Sequence, residues 1–405
     1  MKRMRRWVME PERRVPVAAE YDVLVVGGGI AGVAAALSAA RLGARVGVIE
    51  KEYSLGGLAT LGNVVVYLPL CDGMGRQVIR GLGEELLKLS IRDGYEQIPA
   101  CWRRGGDKAE RLRRRYRVNF NPASFILALE ARVLRAGVRL HYDTRFCDVV
   151  KRNGRIEAVV VENKGGRAAL ACRAVVDASG DADVCARAGE PTVSLATNVR
   201  AGWFFYSEEG ELKLEPLYTP FDPTGQRVPG GGRGYAGDDP DDVTQHMIDT
   251  RALTRRRLDE FRRASGTDKV YPVVLPTIPS FRMTRRLAGA VELNEADERR
   301  VFEDSIGMTG DWRKPGPVYY IPLRALTGVA TANLIAAGRC MSSGTAWDVT
   351  RAIPTCAVTG QAAGAAAALA ARMRTPRFSE LDVGLLQGEL AGQKVLLKKR
   401  VPPLE

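Results

Sequence analysis

Three glycines, one acid and a scattered set of arginines and tyrosines are the residues whose types and spacing could do chemistry. Gly27, Gly29 and Gly32 fit the pattern G-x-G-x-x-G within Gly27-Gly28-Gly29-Ile30-Ala31-Gly32, after the run Tyr21-Asp22-Val23-Leu24-Val25-Val26. Gly27 permits a tight turn, Gly29 lets the backbone approach a pyrophosphate, and Gly32 lets helix and strand pack closely. The phosphates would rest on the free N–H groups and positive end of the following helix. Glu50 ends the next apolar run, Val46-Gly47-Val48-Ile49, where a carboxylate accepts hydrogen bonds from a ribose diol. The expected chemistry is dinucleotide binding.

A second group lies far along the chain, in Phe281-Arg282-Met283-Thr284-Arg285-Arg286, in Tyr319-Tyr320-Ile321-Pro322-Leu323-Arg324, and at Arg351. Arginines gathered at a redox centre would bind a carboxylate or other oxyanion, or stabilise an enolate-like charge. Tyr319 or Tyr320 could relay a proton. The same arginines, Arg282, Arg285 and Arg324, could equally form structural ion pairs between domains. The only two histidines are read as structural (His141, in a strand) and unmarked (His246).

The elements that must position these residues follow from pattern. The first strand, glycine turn, helix and second strand make a βαβ unit. A second glycine loop, Gly56-Gly57-Leu58-Ala59-Thr60, follows it. An amphipathic helix is expected over 77–91, and Asn121-Pro122 reads as an N-cap and N1 pair for a helix that Gly137 closes. Strands over 138–142, 145–151, 155–161 and 167–172 form a meander around the hairpin turn Asn153-Gly154, and 174–178 is a buried strand. From about 190 to 330 prolines, glycines and aromatics rise and the α/β alternation stops, which reads as an inserted domain containing a helix over 250–263 and a flexible glycine-rich loop at 229–234. The nucleotide fold resumes at 333–338, and Pro354 starts a long small-residue helix through Ala371.

The bulk numbers set limits. A chain of 405 residues allows two domains, and 45% hydrophobic content is ordinary for a globular protein. No stretch reaches the ~20 apolar residues of a membrane span. The basic N-terminus, including Arg5-Arg6, lacks an apolar segment of the signal-peptide kind. Seven cysteines without a C-x-x-C pair argue against zinc, iron–sulfur ligation and a disulfide framework, and fit a reducing cytoplasm. The net charge of +13 raises nucleic acid as a partner, but the most basic stretch, 103–117, has interspersed acids and only Tyr116 for stacking, and reads as a solvated arginine-rich loop.

Taken together, the glycine fingerprint with Glu50, the loop at 56–60, the stretch Val175-Val176-Asp177-Ala178-Ser179-Gly180-Asp181-Ala182-Asp183 and the stretch 334–364 resemble the FAD-dependent oxidoreductases of the glutathione-reductase-like superfamily, and within it the bacterial xanthan-lyase-like FAD-dependent oxidoreductases. The resemblance covers 22–187 and 281–371 and is weakest in the insert. It implies that Gly27, Gly29, Ile30, Ala31 and Gly32 wrap the FAD pyrophosphate, that Glu50 with Lys51 beside it holds the adenosine ribose, and that Gly57 and Thr60 pass close to the pyrophosphate and flavin. It further implies that the backbone of Phe146 meets the adenine edge, and that Ala178-Ser179-Gly180 stands for an Ala-Thr-Gly turn near the adenosine. Gly338-Arg339 stands where many relatives have Gly-Asp; an arginine cannot accept the ribityl hydrogen bonds, so its contact must differ. Met283 replaces a family Glu. Cys71, in a recurring Cys-Asp-Gly, is read as buried and inert rather than as a flavin anchor. The helix that Pro354 and Thr355 open would point its unpaired N–H groups at the pyrimidine edge of the flavin and favour negative charge there.

The expectation is an α/β protein: a Rossmann-like FAD-binding domain with a β-meander (21–189 and 331–385), an inserted α+β substrate or cap domain (190–330), an N-terminal arm (1–20) and a C-terminal tail (386–405). It would exchange hydride between a small-molecule substrate and FAD, passing electrons to or from an acceptor or donor the sequence does not name, as a monomer or homo-oligomer. The alternatives are a flavoprotein acting on RNA, a thiazole-synthase-like NAD-binding protein, and a FAD-stabilised structural subunit.

Overall fold

The computed structural model describes residues 8–217 and 233–397. Its frame is a seven-stranded sheet. β1 (Val17–Val26), α1 (Ile30–Arg41) and β2 (Val46–Ile49) form the first βαβ unit, with β1 and β2 parallel and Val23 opposite Val46. Val23 to Val26 and all of β2 are buried, the continuous apolar run of a strand covered on both faces.

A two-stranded ladder of β3 (Val66–Tyr67) and β4 (Val118–Asn119) and the helix α2 (Leu82–Ser90) lie in the stretch 50–121. α2 begins later than the expected 77, because 77–79 is held extended by hydrogen bonds from Val78 and Ile79 to the Leu70 carbonyl. α3 (Pro122–Arg135) has the expected cap: the Asn121 side chain accepts from the backbone of Ala123 and Ser124, and Gly137 adopts φ +75° beyond its end. β5 (Arg139–His141) then joins β2 in parallel. β6 (Arg145–Arg152), β7 (Arg155–Asn163) and β8 (Gly166–Asp177) are the meander, with Asn153-Gly154 both at positive φ in the first hairpin.

β8 organises the whole sheet. Along one edge it pairs in parallel with β1. Along the other, its first half pairs with β7 and its last three residues pair with β16 (Leu334–Ala336), which returns from the far end of the chain. The carboxyl ends of β1, β2, β8 and β16 therefore open onto one crevice, the place where open parallel sheets bind ligands. α7 (Ile353–Arg372) lies against α1, and Gly360 and Gly364 permit this: an added Cβ would stand 2.1 Å from the Ala31 carbonyl oxygen and 2.0 Å from that of Ala35. The small-residue face of α7 thus packs on helix α1 rather than directly on the sheet. α7 is also the helix, among the described residues, long and apolar enough to cross a membrane, but 94% of its apolar window is buried inside the protein.

Between these parts run α4 (Asp183–Arg187), β9 (Thr192–Ser194), β10 (Gly202–Glu208), β11 (Glu211–Leu217), α5 (Pro240–Ser265), β12 (Val270–Val274), β13 (Arg285–Leu287), β14 (Ser305–Gly310), β15 (Val318–Pro322) and α6 (Trp347–Thr350). β11, β10 and β12 form a separate antiparallel sheet that packs Phe204, Tyr206 and Val270 against Leu258 of α5. α5 starts ten residues before the expected 250, because Asp239 caps it and Pro240 opens it. β14 and β15, although inside the stretch read as an insert, bury Ile306, Met308, Tyr319 and Ile321 in the same core as α1 and α7. The N-terminal arm is strand from Val17 onward, and the expected tail begins inside α8 (Val383–Gly392), which buries Leu386 and Leu390. Of the glycine-rich loop, 229–232 lie outside the described residues.

Candidate active site

The crevice holds a cavity of about 540 Å³ that brings together residues from every segment of the resemblance. Gly27, Gly29, Ile30 and Ala31 line it from the first turn, Glu50 and Lys51 from the tip of β2, Gly57 from the second glycine loop, Phe146 from β6, Ala178, Ser179 and Gly180 from the end of β8, and Gly338 and Arg339 from the end of β16. The floor is built to be bare. Gly29 has nothing within 4 Å of where a Cβ would stand, and it bridges in parallel to Gly56 of the second loop. Gly27, at φ +102°, would place a Cβ 2.4 Å from the Ala178 carbonyl oxygen. Gly338, at φ +67°, would place one 2.8 Å from the Ala31 Cβ, so β16 and the first turn are in direct apposition across the crevice.

Glu50 is set by backbone. Its Oε2 accepts from Gly28 N–H at 2.6 Å and its Oε1 from Glu52 N–H at 3.0 Å. Burial pushes its carboxyl above the usual range, against these two bonds and the nearby Lys51, which pull it down. Asp183, on the same wall, is pushed up to about 6 by burial and then by the neighbouring Asp181 and Asp177 carboxylates. The turn at 179–183 is anchored from the other side by Thr284, whose hydroxyl donates to Asp181, by Arg285, which pairs with Asp183 at 2.7 Å, and by Arg339, which pairs with Asp181 at 3.3 Å. The other terminal nitrogen of Arg339, Nη1, is buried with no hydrogen-bond partner among the described residues.

A second cavity, of about 1450 Å³, adjoins the first and shares Leu58, Arg339, Arg351 and Ile353 with it. Ile353 is the first residue of α7, so the amino end of that helix stands where the two cavities meet. Arg282 lines the second cavity, with Trp203, Trp312 and Arg313. Arg351 pairs with Asp348 and lies over the Trp347 ring; Arg313 is nearly buried between Asp311 and Glu295.

Several residues expected at the site face elsewhere. Tyr319 and Tyr320 are 2% exposed and pack in the main core, where burial raises the Tyr319 phenol; neither lines either of these two cavities. Arg324 is solvent-exposed and paired with Asp304. Gly32 packs under the turn, where an added Cβ would stand 1.8 Å from the Gly27 carbonyl oxygen. The Thr60 hydroxyl bonds within its own loop, to the Leu55 carbonyl at 2.7 Å. Pro354 and Thr355 are buried behind Ile353, with Thr355 bonded to Thr309 at 2.8 Å, so Ile353 and Cys356 are the lining residues from this turn. Cys71 is buried and accepts from Tyr116 N–H at 3.4 Å, and burial raises its thiol. His141 bonds Tyr21, and His246 packs against Tyr235 and Phe281.

The loop read as solvated keeps most of its charged side chains exposed, and it also lines the second cavity. Trp102 stacks on Tyr116 at 5.3 Å and donates to the Arg114 carbonyl, Arg111 donates to the Cys101 carbonyl and covers Trp102, and Arg115 donates to the Trp312 carbonyl. The two aromatics and the backbone carbonyls, rather than the acids in the segment, are what fold it; the Trp102 and Tyr116 pair was the available signal.

A glycine-floored crevice at the carboxyl ends of parallel strands, with an acid at the second strand and a distant strand and helix closing the other end, defines a dinucleotide-binding α/β protein. The chain belongs to the FAD-dependent oxidoreductases: the model of the family described as FAD dependent oxidoreductase matches residues 22–201 and 207–390. It is similar to a thioredoxin reductase of Ureaplasma parvum, 36% identical over 76 residues, which are 19% of this chain and 25% of that protein. The match thus spans about a quarter of the length of that curated relative. Among solved structures it is similar to p-nitrophenol 4-monooxygenase from Pseudomonas putida, with TM-score 0.52 and 12% identity over 93% of this chain and 85% of that one, a likeness of fold. A geranylgeranyl bacteriochlorophyll reductase-like protein from Thermoplasma acidophilum aligns over 93% of this chain and 84% of its own, with 15% identity and TM-score 0.49.

Proposed function

We propose that FAD lies along the first cavity and that a small molecule carrying an oxyanion binds in the second, where it exchanges hydride with the cofactor at the junction. The observation that carries this reading is the sharing of Leu58, Arg339, Arg351 and Ile353 between the two cavities. The residues fit the cofactor: Gly29 leaves its side of the crevice open, and the buried Nη1 of Arg339, without a partner among the described residues, is a donor for an acceptor on the cofactor. Arg339 would take the place of the usual acid by donating, to a phosphate or a flavin oxygen. Glu50 would accept from the ribose, and Gly27, Gly29, Ile30 and Ala31 would meet the pyrophosphate.

When bound, the flavin supplies a two-electron centre that takes or gives hydride at N5. The chain's own part is positioning and electrostatics. Arg282 and Arg351 would hold a carboxylate or other oxyanion of the substrate and set its reacting carbon toward the junction. The amino end of α7 adds a fixed positive potential there. Trp203, Trp312 and Ile353 would exclude water. The residues 190–287 would act as the cap, and the final electron acceptor would be oxygen, a quinone or a protein carrier. Seven free cysteines support a reducing compartment such as the cytoplasm.

The test is direct. The purified holoprotein should release FAD on acid treatment, and its colour should bleach anaerobically with a substrate found among hydroxy acids and related oxyanions. Arg282→Gln should raise the substrate concentration for half-maximal bleaching roughly tenfold or more, the worth of a charge-assisted bond, without changing flavin content. A holoprotein that no oxyanion-bearing compound reduces, while a neutral one does, would overturn the assignment of the arginines.

A further inference from the structure

We infer that the second cavity is a two-ended anion site: its substrate carries one anionic group at the junction and another at the far wall, joined by an apolar or aromatic body. This rests on the reading of the second cavity as the substrate site. Nine arginines and a single carboxylate, Glu96, are among its lining residues. Glu96 is occupied, accepting from Asn119 N–H at 2.6 Å and from its side-chain amide at 2.5 Å.

Arg282, Arg339 and Arg351 belong to the junction side of the proposed site, Arg103 is bonded to the Ile98 carbonyl and Gln97, and the other five differ in what they touch. Arg115 and Arg313 are consumed in holding the wall, on the Trp312 carbonyl and on Asp311 and Glu295. Arg113, Arg114 and Arg117 are exposed, line the same cavity from the loop, and among the described residues their side chains make no hydrogen bond or ion pair. They do not sit on a loose segment. The Arg114 carbonyl is fixed by Trp102 Nε1 at 2.7 Å, the Tyr116 ring is stacked and buried, the Tyr116 carbonyl accepts from Leu70 N–H at 2.9 Å, and the Tyr116 hydroxyl donates to Glu84 at 3.2 Å. Three unpaired like charges on an anchored stretch repel one another, and an anion bound among them removes that repulsion.

The lining of the cavity is also apolar in part, with Val64, Val66, Leu68 and Ile98 among its residues. The cavity exceeds the ~300–1,000 Å³ of ordinary small-molecule pockets, so a compact hydroxy acid would leave most of it empty. A ditopic anion fills it, with both ends bound. Carboxylate and phosphate share this chemistry.

The experiment uses the holoprotein and calorimetric titration with octanoate, with α,ω-dicarboxylates from succinate to sebacate, and with α,ω-bisphosphonates of the same lengths. The best-matched dianion should bind at least tenfold tighter than the monoanion of equal length. The relative strength of the two dianion series names the anion. The variant R113Q/R114Q/R117Q should lose that advantage to within twofold, while octanoate binding and flavin content stay as they were. Octanoate binding without any gain for dianions at any length, or a gain that survives in the triple variant, overturns the two-ended site and leaves the proposed function standing. Absence of binding by every anion overturns both. A single-stranded RNA oligonucleotide that binds through these three arginines, with no dianion binding, replaces the proposal with a nucleic-acid surface.

Discussion

The two cavities are walled by different materials. The first is made of backbone: Gly27, Gly29, Gly57, Gly180 and Gly338 form its floor and rim, and Glu50 is aimed by two backbone N–H groups. The second is made of long side chains on loops: arginines from 103–117, 282, 313 and 351, with Trp203 and Trp312. A backbone site tolerates almost no change of residue because the missing atoms are the site, whereas a side-chain site can be altered one group at a time. The first suits a cofactor with an invariant outline, and the second a substrate chosen by charge.

That contrast breaks first at the glycines. Gly27→Ala should destabilise the fold by about 3 kcal/mol or more, since the methyl would meet the Ala178 carbonyl at 2.4 Å on a backbone already at positive φ. Gly29→Ala, two residues on, should leave the apoprotein's melting temperature unchanged, because that Cβ meets nothing and the residue has ordinary φ of −64°, yet it should weaken FAD binding by occupying the crevice. Thermal melts of the two apoproteins with FAD titrations check both, and equal stabilities would show the floor to be less rigid than described.

Glu50→Gln comes next. Loss of a charged acceptor to the ribose should weaken FAD by roughly 10- to 100-fold, from about 1.5–3 kcal/mol for a hydrogen bond to a charged group, measured by flavin fluorescence on titration. On the side-chain wall, Arg351→Gln should leave FAD affinity within about threefold but raise the anion concentration for half-maximal flavin reduction by tenfold or so.

A smaller effect separates the walls by pH. Asp183 in the folded protein holds its proton up to about 6, above the ordinary 3.8. Well below pH 4 both folded and unfolded forms are protonated and the folded state keeps its advantage; that advantage is lost as pH rises through 6, where the half-buried carboxyl must ionise. The melting temperature of the apoprotein should therefore fall relative to Asp183→Asn between pH 4 and 7, and parallel profiles would refute the shift. Smallest of all, Arg324→Ala should change stability by at most about 1 kcal/mol and leave flavin reduction untouched, because its pair with Asp304 is exposed.

Legibility in the sequence followed the same division. The glycine turn, Glu50, the meander with its Asn153-Gly154 hairpin and the return of 334–336 to the sheet are encoded locally, by φ > 0 requirements and apolar runs, and each can be read from a few adjacent residues. The segment Tyr319-Tyr320-Ile321-Pro322 does not reveal that both faces of β15 are covered: the two neighbouring rings point to opposite faces and both are buried. Thr60 and Thr355 misled in the same way, their hydroxyls turning to local carbonyls. The arginine-rich loop is exposed as its charges imply, but its anchoring is not legible, because that depends on Trp102, Tyr116 and carbonyls at 311 and 312, partners far apart in sequence that charge patterning does not reveal.

The sharing of Arg339, Arg351 and Ile353 by both cavities has a thermodynamic consequence. Whatever free energy the occupant of one cavity gains or loses by resetting these side chains, the occupant of the other must gain or lose in equal measure. A chain emptied of its cofactor should accordingly present a different anion affinity from the loaded one, and the ratio should equal the change that the anion imposes on cofactor release.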